Sequence, residues 1–132
     1  MIKKQILWIT LVVIILSALF YKTIFIEDKI LVEVENLNSN PITDGSFIYF
    51  NETINLPIIK TGQKFKETID ISQQKGEGSL KFKFRIGNGH VREIIVIGYM
   101  EGGQPKNYKG KAYIKIDKEG NATVNLIKGY SF

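Results

Sequence analysis

The sequence contains no cysteine, one histidine, one tryptophan and three prolines in 132 residues. Without cysteine there is no disulfide framework, no thiolate nucleophile, no thiolate metal site and no lipid-modified cysteine anchor. His90 is the one imidazole, so a zinc site would depend on carboxylates, and the nearby chain supplies only Glu93. Ser-His-Asp chemistry needs an activated serine, whereas Ser72 and Ser79 lie in turn-rich sequence without a nucleophile elbow. Gly76-x-Gly78 and Gly87-x-Gly89 do not open a helical period, so both read as hairpin turns rather than phosphate loops. Asp117 to Asn121 is rich in oxygen ligands but lacks the spacing of a twelve-residue calcium loop. No catalytic, cofactor-binding or metal-ligating residue is assigned, and a non-enzymatic role is expected.

Charge of one sign is scarce once the chain is divided. The formal net charge is +5, from 18 Lys+Arg and 13 Asp+Glu. Lys3, Lys4 and Lys22 belong to the N-terminal segment, which has no acidic residue before Glu27, so the remainder carries only +2. A nearly balanced domain argues against nucleic acid as partner. The richness in Lys, Ile and Asn, together with the absence of disulfides, points to a bacterial protein.

The dominant feature that is present is the run Ile6 to Phe20, ILWITLVVIILSALF, in which Thr10 and Ser17 are the only polar residues. Alone it would reach about 22 Å as a helix. Carried past Lys22, which can snorkel, to Ile24, Phe25 and Ile26, it reaches about 31 Å and spans a bilayer core. Trp8 and Tyr21 then fall near opposite interfaces. Lys3 and Lys4 precede the run, so the expected topology is a single pass with the amino end cytoplasmic and the rest extracytoplasmic. The competing reading is a cleaved signal peptide followed by secretion. Leu16 upstream of Ala18, or Phe20 downstream of it, makes a poor cleavage site, so an uncleaved signal-anchor is expected. The division is residues 1–26 as anchor and residues 27–132 as one extracytoplasmic domain.

Beyond residue 26 apolar side chains alternate with a period of two. Ile30, Val32 and Val34 mark a first strand ending at Asn36, and Ser46 to Asn51 a second. Pro57 confines its segment to an edge or a strand start. In the third strand Phe65, Ile69 and Ile71 share a face with Glu67, which only a bulge or an edge position explains. Leu80, Phe82, Phe84 and Ile86 mark the best-patterned strand, followed by a Gly87-Asn88-Gly89 hairpin turn. Ile94 to Ile97 is apolar on both faces and is expected to be central. Gly102 to Pro105 forms the longest loop, and strands over Lys109 to Lys118 and Thr123 to Ile127 complete the set. The expectation is an all-β, seven-stranded antiparallel sandwich behind one N-terminal transmembrane helix, with a small closed barrel as the alternative.

Val32-Glu33-Val34-Glu35-Asn36 and the later Ile54-Asn55-Leu56-Pro57-Ile58-Ile59-Lys60-Thr61-Gly62-Gln63-Lys64 resemble immunoglobulin-like domains of bacterial surface proteins. Gly76 to Leu80 and Ile97-Gly98-Tyr99 are similar to segments of small exported, membrane-anchored proteins of Gram-positive bacteria. The resemblance spans roughly residues 30 to 127. It implies an immunoglobulin-like fold displayed outside the membrane, and it brings no catalytic residues.

One chemical pattern remains. Lys81, Lys83 and Arg85 share one strand face, and Lys109, Lys111 and Lys115 share another. If those strands are neighbours, they form a basic surface suited to anionic lipid headgroups or a phosphate-bearing wall polymer. The competing account is a lysine-rich face that keeps the domain soluble. The expected function is a membrane-anchored, non-enzymatic binding or structural module of the bacterial envelope, with an unidentified protein partner also open. The alternative is an immunity or inhibitor protein acting against a secreted toxin or hydrolase.

Overall fold

The computed structural model describes residues 1–24, 29–102 and 108–130. Helix α1 covers Ile2–Ile24, about 34 Å at 1.5 Å per residue, starting four residues earlier than the apolar run. The expected contribution of Phe25 and Ile26, and the junction between 1–26 and 27–132, fall outside the described residues. None of the Ile2–Phe20 stretch is buried against the rest of the chain, which separates α1 from the core helix of a soluble domain. Thr10 and Ser17 donate their hydroxyls to the carbonyls of Ile6 and Val13, at 2.9 and 2.7 Å. Each polar side chain of the run is therefore satisfied inside the helix, as a hydrocarbon environment requires.

Eight strands follow, not seven: β1 Lys29–Asn36, β2 Ile42–Tyr49, β3 Glu52–Asn55, β4 Lys64–Asp70, β5 Gly76–Ile86, β6 Val91–Gly102, β7 Tyr108–Ile116 and β8 Ala122–Tyr130. They form two four-stranded sheets, ordered β4-β1-β7-β8 and β3-β2-β5-β6. The inward residues of both belong to one core, including Ile30, Val32 and Val34 from β1, Phe82 and Phe84 from β5, and Ala112, Ile114 and Ile116 from β7. The inward faces expected for these three strands are the faces observed, because a half-buried strand must put every second side chain inside.

The extra strand arises from a turn that composition does not announce. Phe50 and Asn51 form a two-residue turn between paired Tyr49 and Glu52, with Phe50 at φ 51°. A bulky residue there is strained. Its ring is held directly over Gly78, where an added Cβ would lie 2.5 Å from a ring carbon. Gly76 and Gly78 accordingly belong to β5 itself rather than to the expected turn. The Gly87-Asn88-Gly89 turn between β5 and β6 is observed, with Gly87 at φ 54°.

Two further expectations are corrected. The sheets are not wholly antiparallel, since β1 runs parallel to β7 over Lys29–Asn36 and Lys109–Ile116. Strand β6 is an edge strand, not a central one. Its apolar run fits an edge because the pairing with β5 shifts register near Leu80, so Val96 and Ile97 are both buried while Ile95 is 64% exposed. Glu67 finds its explanation in position: β4 pairs with β1 in unbroken register and is an edge, so the inward-facing carboxylate sits at the rim of the sandwich. An inward charge on an edge strand opposes pairing with another chain. The longest loop expected, from Gly102 to Pro105, lies largely outside the described residues.

At the start of the β4–β5 connection, Ser72 holds the Asp70 carboxyl below its ordinary value. It does so by side-chain hydrogen bonding, against partial desolvation, and also through its backbone N–H at 2.9 Å, with Lys29 adding attraction. A lowered carboxyl stabilises the fold above the unfolded value near 3.9, and that contribution is lost as pH falls through the lowered value. Asp70→Asn should flatten the urea midpoint of the full chain between about pH 5 and 2 relative to wild type. Identical pH profiles for the two proteins would remove Asp70 from the acid response.

Candidate functional site on the outer face of the second sheet

The two basic stripes are not neighbours. Lys81, Lys83 and Arg85 lie on β5 in one sheet, and Lys109, Lys111 and Lys115 on β7 in the other, so the expected continuous basic surface does not form. The β7 stripe is interleaved with acid. In the outer-face register Glu35 sits between Lys64 and Lys115, and Glu33 between Lys66 and Tyr113. Glu33, whose side chain is mostly buried, pairs with Lys64 and Lys66, each at 3.6 Å. That face is a charge ladder, the form in which a solvated sheet keeps both signs interspersed.

The β5 stripe differs residue by residue. Lys81 pairs with Glu93 at 3.3 Å, and Arg85 Nε lies 3.1 Å from Asp44 Oδ2. Lys83 is exposed and makes no ion pair among the described residues, although Glu93 is its cross-strand neighbour. Exposed pairs contribute little to stability, so these partners matter for where charge is left over. The surplus charge of this face is at Lys83.

A cleft of about 590 Å³ opens beside it, within the size range of small-ligand sites. Lys83, Arg85, Ser46 and Asn55 supply its polar lining, and Pro57, Ile58 and Val91 part of its apolar rim. Sequence alone missed Asp44, Ser46 and the rim. The available signal was Asp44-Gly45, a turn-type dipeptide between Thr43 and the aromatic run of β2. The β2–β5 register shifts between Thr43 and Ser46, and Asp44 is driven to φ 50°. Gly45 allows Leu56 to approach, with the Leu56 N–H donating to the Gly45 carbonyl at 2.8 Å. The bulge thus turns the Asp44 carboxylate onto Arg85 and brings the Leu56–Ile58 segment alongside as a wall.

Three polar groups in the cleft lack hydrogen-bond partners among the described residues. Arg85 Nε is fully buried, and its ion pair with Asp44 misses hydrogen-bond geometry. Ser46 is only 7% exposed and lines the cleft, and its side chain makes no hydrogen bond. The Lys83 ammonium is the third. Buried polar groups are ordinarily partnered, and of these three Arg85 Nε is the one fully buried atom; it lies beside the positive-φ backbone of Asp44.

Its location follows from the strand directions. Strand β1 starts at Lys29, separated from the end of α1 at Ile24 by the four residues 25–28, and runs about 23 Å to Asn36. At that far end the Gly87 N–H donates to the Pro41 carbonyl at 2.9 Å, and Ile42 pairs with Ile86 and Ile59. Asp44, Arg85, Ile58 and Val91 adjoin those residues. The cleft therefore lies at the end of the domain remote from the start of β1.

Fold and site define a two-sheet β domain carrying an N-terminal helix apolar and long enough to cross a membrane, with one strained, underpartnered cleft. Comparison with protein-family models, curated proteins and solved structures finds no match.

Proposed function

We propose that this chain is a single-pass membrane protein, amino end cytoplasmic, that holds a non-enzymatic binding domain in the extracytoplasmic space of a bacterial envelope. The observation that carries the reading is the cleft, in which, among the described residues, Lys83 has no counter-ion and the Ser46 side chain has no hydrogen-bond partner. A bound anion would satisfy both. Lys3 and Lys4 before α1 support the orientation, and the solvent-facing apolar surface of α1 supports the anchor. From the resemblance to immunoglobulin-like surface domains the proposal takes the plan of two packed sheets and the display role. The strand order is this domain's own, since the constant-type plan keeps its first two strands in one sheet and here β1 and β2 are in different sheets.

The alternative role, immunity or inhibition, has an observation in its favour. Ile95 and Val91 of edge strand β6 are 64% and 42% exposed, a small apolar surface suited to a protein partner. A gene for a secreted toxin or hydrolase next to this one would favour that reading.

The test is labelling. In intact cells a membrane-impermeant amine reagent should modify Lys83, and the full-length protein should stay with the membrane through alkaline extraction. Added envelope material should protect Lys83 while leaving Lys111, on the other sheet, reactive. Mature protein in the medium with an amino terminus near residue 22 would end the anchor claim, and equal reactivity of the two lysines under envelope material would end the binding claim.

A further inference from the structure

We propose that the cleft is a phosphoryl-binding site, taking one phosphate of a polyol-phosphate chain between Lys83, the outer nitrogens of Arg85 and the hydroxyl of Ser46. The inference rests on the binding reading above and names its ligand class. The charge left over on this face is positive and is concentrated at Lys83, since Lys81 and Arg85 are already paired with Glu93 and Asp44. A carboxylate is the best partner for the planar fork of an arginine. Here the Nε side of that fork is already taken by the Asp44 carboxylate. What remains is a set of separate donors: a lysine point charge, the outer guanidinium nitrogens and a nearly buried hydroxyl. Ser46 and Lys83 are direct cross-strand partners, and Arg85 lies two residues further along the same face. Neighbours in this relation stand about 5–7 Å apart at their β-carbons, so their longer side chains can close around one group. Several donors arriving from different directions suit a tetrahedral phosphodiester, with its two non-bridging oxygens set apart around phosphorus, better than a planar carboxylate.

The rest of the cleft describes the body that carries the phosphate. The Asn55 amide both donates and accepts, as hydroxyl groups require, while Pro57, Ile58 and Val91 offer aliphatic surface to carbon chains. The position decides between sources. The cleft opens toward the end of the domain remote from Lys29, with Asp44 and Arg85 next to the Ile42–Ile86 pair at that end, whereas headgroup charge is screened within about 8 Å at physiological salt. The phosphate is therefore one that extends beyond the chain's own bilayer, not that of its lipids.

The experiment uses the full chain in zwitterionic phosphatidylcholine nanodiscs and a soluble glycerol-phosphate oligomer as probe, with affinity read by calorimetry. Wild type should bind saturably. Lys83→Gln should weaken binding about tenfold, the scale of one lost charge-assisted hydrogen bond, while Lys111→Gln should change it less than about twofold. Ser46→Ala should weaken binding several-fold at an unchanged unfolding midpoint, because that hydroxyl serves no partner among the described residues. A purely structural serine would show the reverse. Phosphatidylglycerol placed in the nanodisc itself should not displace the oligomer, and a glucuronate oligomer should compete poorly.

Equal losses at Lys83 and Lys111 would reduce the site to diffuse charge. Effective competition by glucuronate would make the ligand a carboxylate, and competition by the phosphatidylglycerol of the nanodisc would return it to the membrane surface. Each of these overturns the proposal, as does failure of the oligomer to bind. If the oligomer fails while envelope material still protects Lys83, the ligand class falls and the binding reading stands. If that protection is also missing, both fall.

Discussion

Phe82→Ala should destabilise the full chain by about 3–5 kcal/mol, a large part of the stability a domain of this size has. Phe82 is fully buried in the middle of β5. Its ring centroid lies 5.3 Å from that of Phe47, tilted, and 4.8 Å from that of Phe84, stacked. Truncation removes the transfer free energy of a phenyl ring and leaves a cavity between two sheets whose spacing is fixed by their other side chains. The aromatic contacts add about 0.5–1.5 kcal/mol beyond area. Phe84 offers a useful comparison, because the Arg92 guanidinium covers its ring at 5.2 Å and closes that end of the core. Chemical unfolding of the two alanine variants is the measurement. A loss under about 1 kcal/mol for Phe82→Ala would contradict its place at the centre of the core.

Asn36→Leu should be comparably harmful, at about 3–5 kcal/mol, although it replaces a polar residue with an apolar one of similar size in a buried position. The Asn36 side chain is wholly buried and fully used. Its amide donates to the carbonyls of Asn40 and Ile59, at 3.0 and 2.9 Å, and its oxygen accepts from the Asn38 N–H at 2.9 Å. Asn38 continues the network. Its amide donates to the carbonyls of Asp117 and Lys118, at 3.3 and 3.0 Å, and its oxygen accepts from the Asn40 N–H at 3.0 Å. Leucine would strip the Asn40 carbonyl and the Asn38 N–H of this partner and leave the Ile59 carbonyl only the Ile42 N–H, each orphaned group costing about 1–3 kcal/mol where water cannot replace the lost partner. Because the network ties the β1–β2 connection to the β7–β8 turn and to Ile59, hydrogen exchange should accelerate at all three places. Protection lost only at residues 37–40 would show that the network does not couple them.

These two residues show how differently the sequence discloses its core. Phe82 was legible because Leu80, Phe82, Phe84 and Ile86 alternate with Lys81, Lys83 and Arg85, a pattern that only a half-buried strand explains. Asn36 was not. It ends an alternating run and precedes Asn-Ser-Asn-Pro, which reads as loop by composition, and its burial depends on Ile59, a residue distant in the chain. The run Ile94 to Ile97 misled for a related reason. An unbroken apolar segment ordinarily marks a strand covered on both sides, but a register shift in β6 turns Val96 and Ile97 inward together and leaves Ile95 outside at an edge.

The sequence by itself determined the apolar N-terminal helix, the places of seven of the eight strands, and which face of β1, β5 and β7 turns inward. These are local properties, set by hydrophobic period and by the cost of exposing or burying each side chain. Tertiary structure alone decided which strands lie side by side. Pairing β1 with β7 in parallel, and assigning β5 to the other sheet, depended on how two inward faces could fill one core, and the alternation is silent on that choice. The same choice separated two lysine stripes that look alike in the sequence. It set one among the glutamates of β1, and it placed the other beside a bulge where Asp44 is bent onto Arg85 and Lys83 is left without a counter-ion among the described residues. The charges were written in the chain, but their excess at one cleft exists only because folding brought some of their partners within reach and not others.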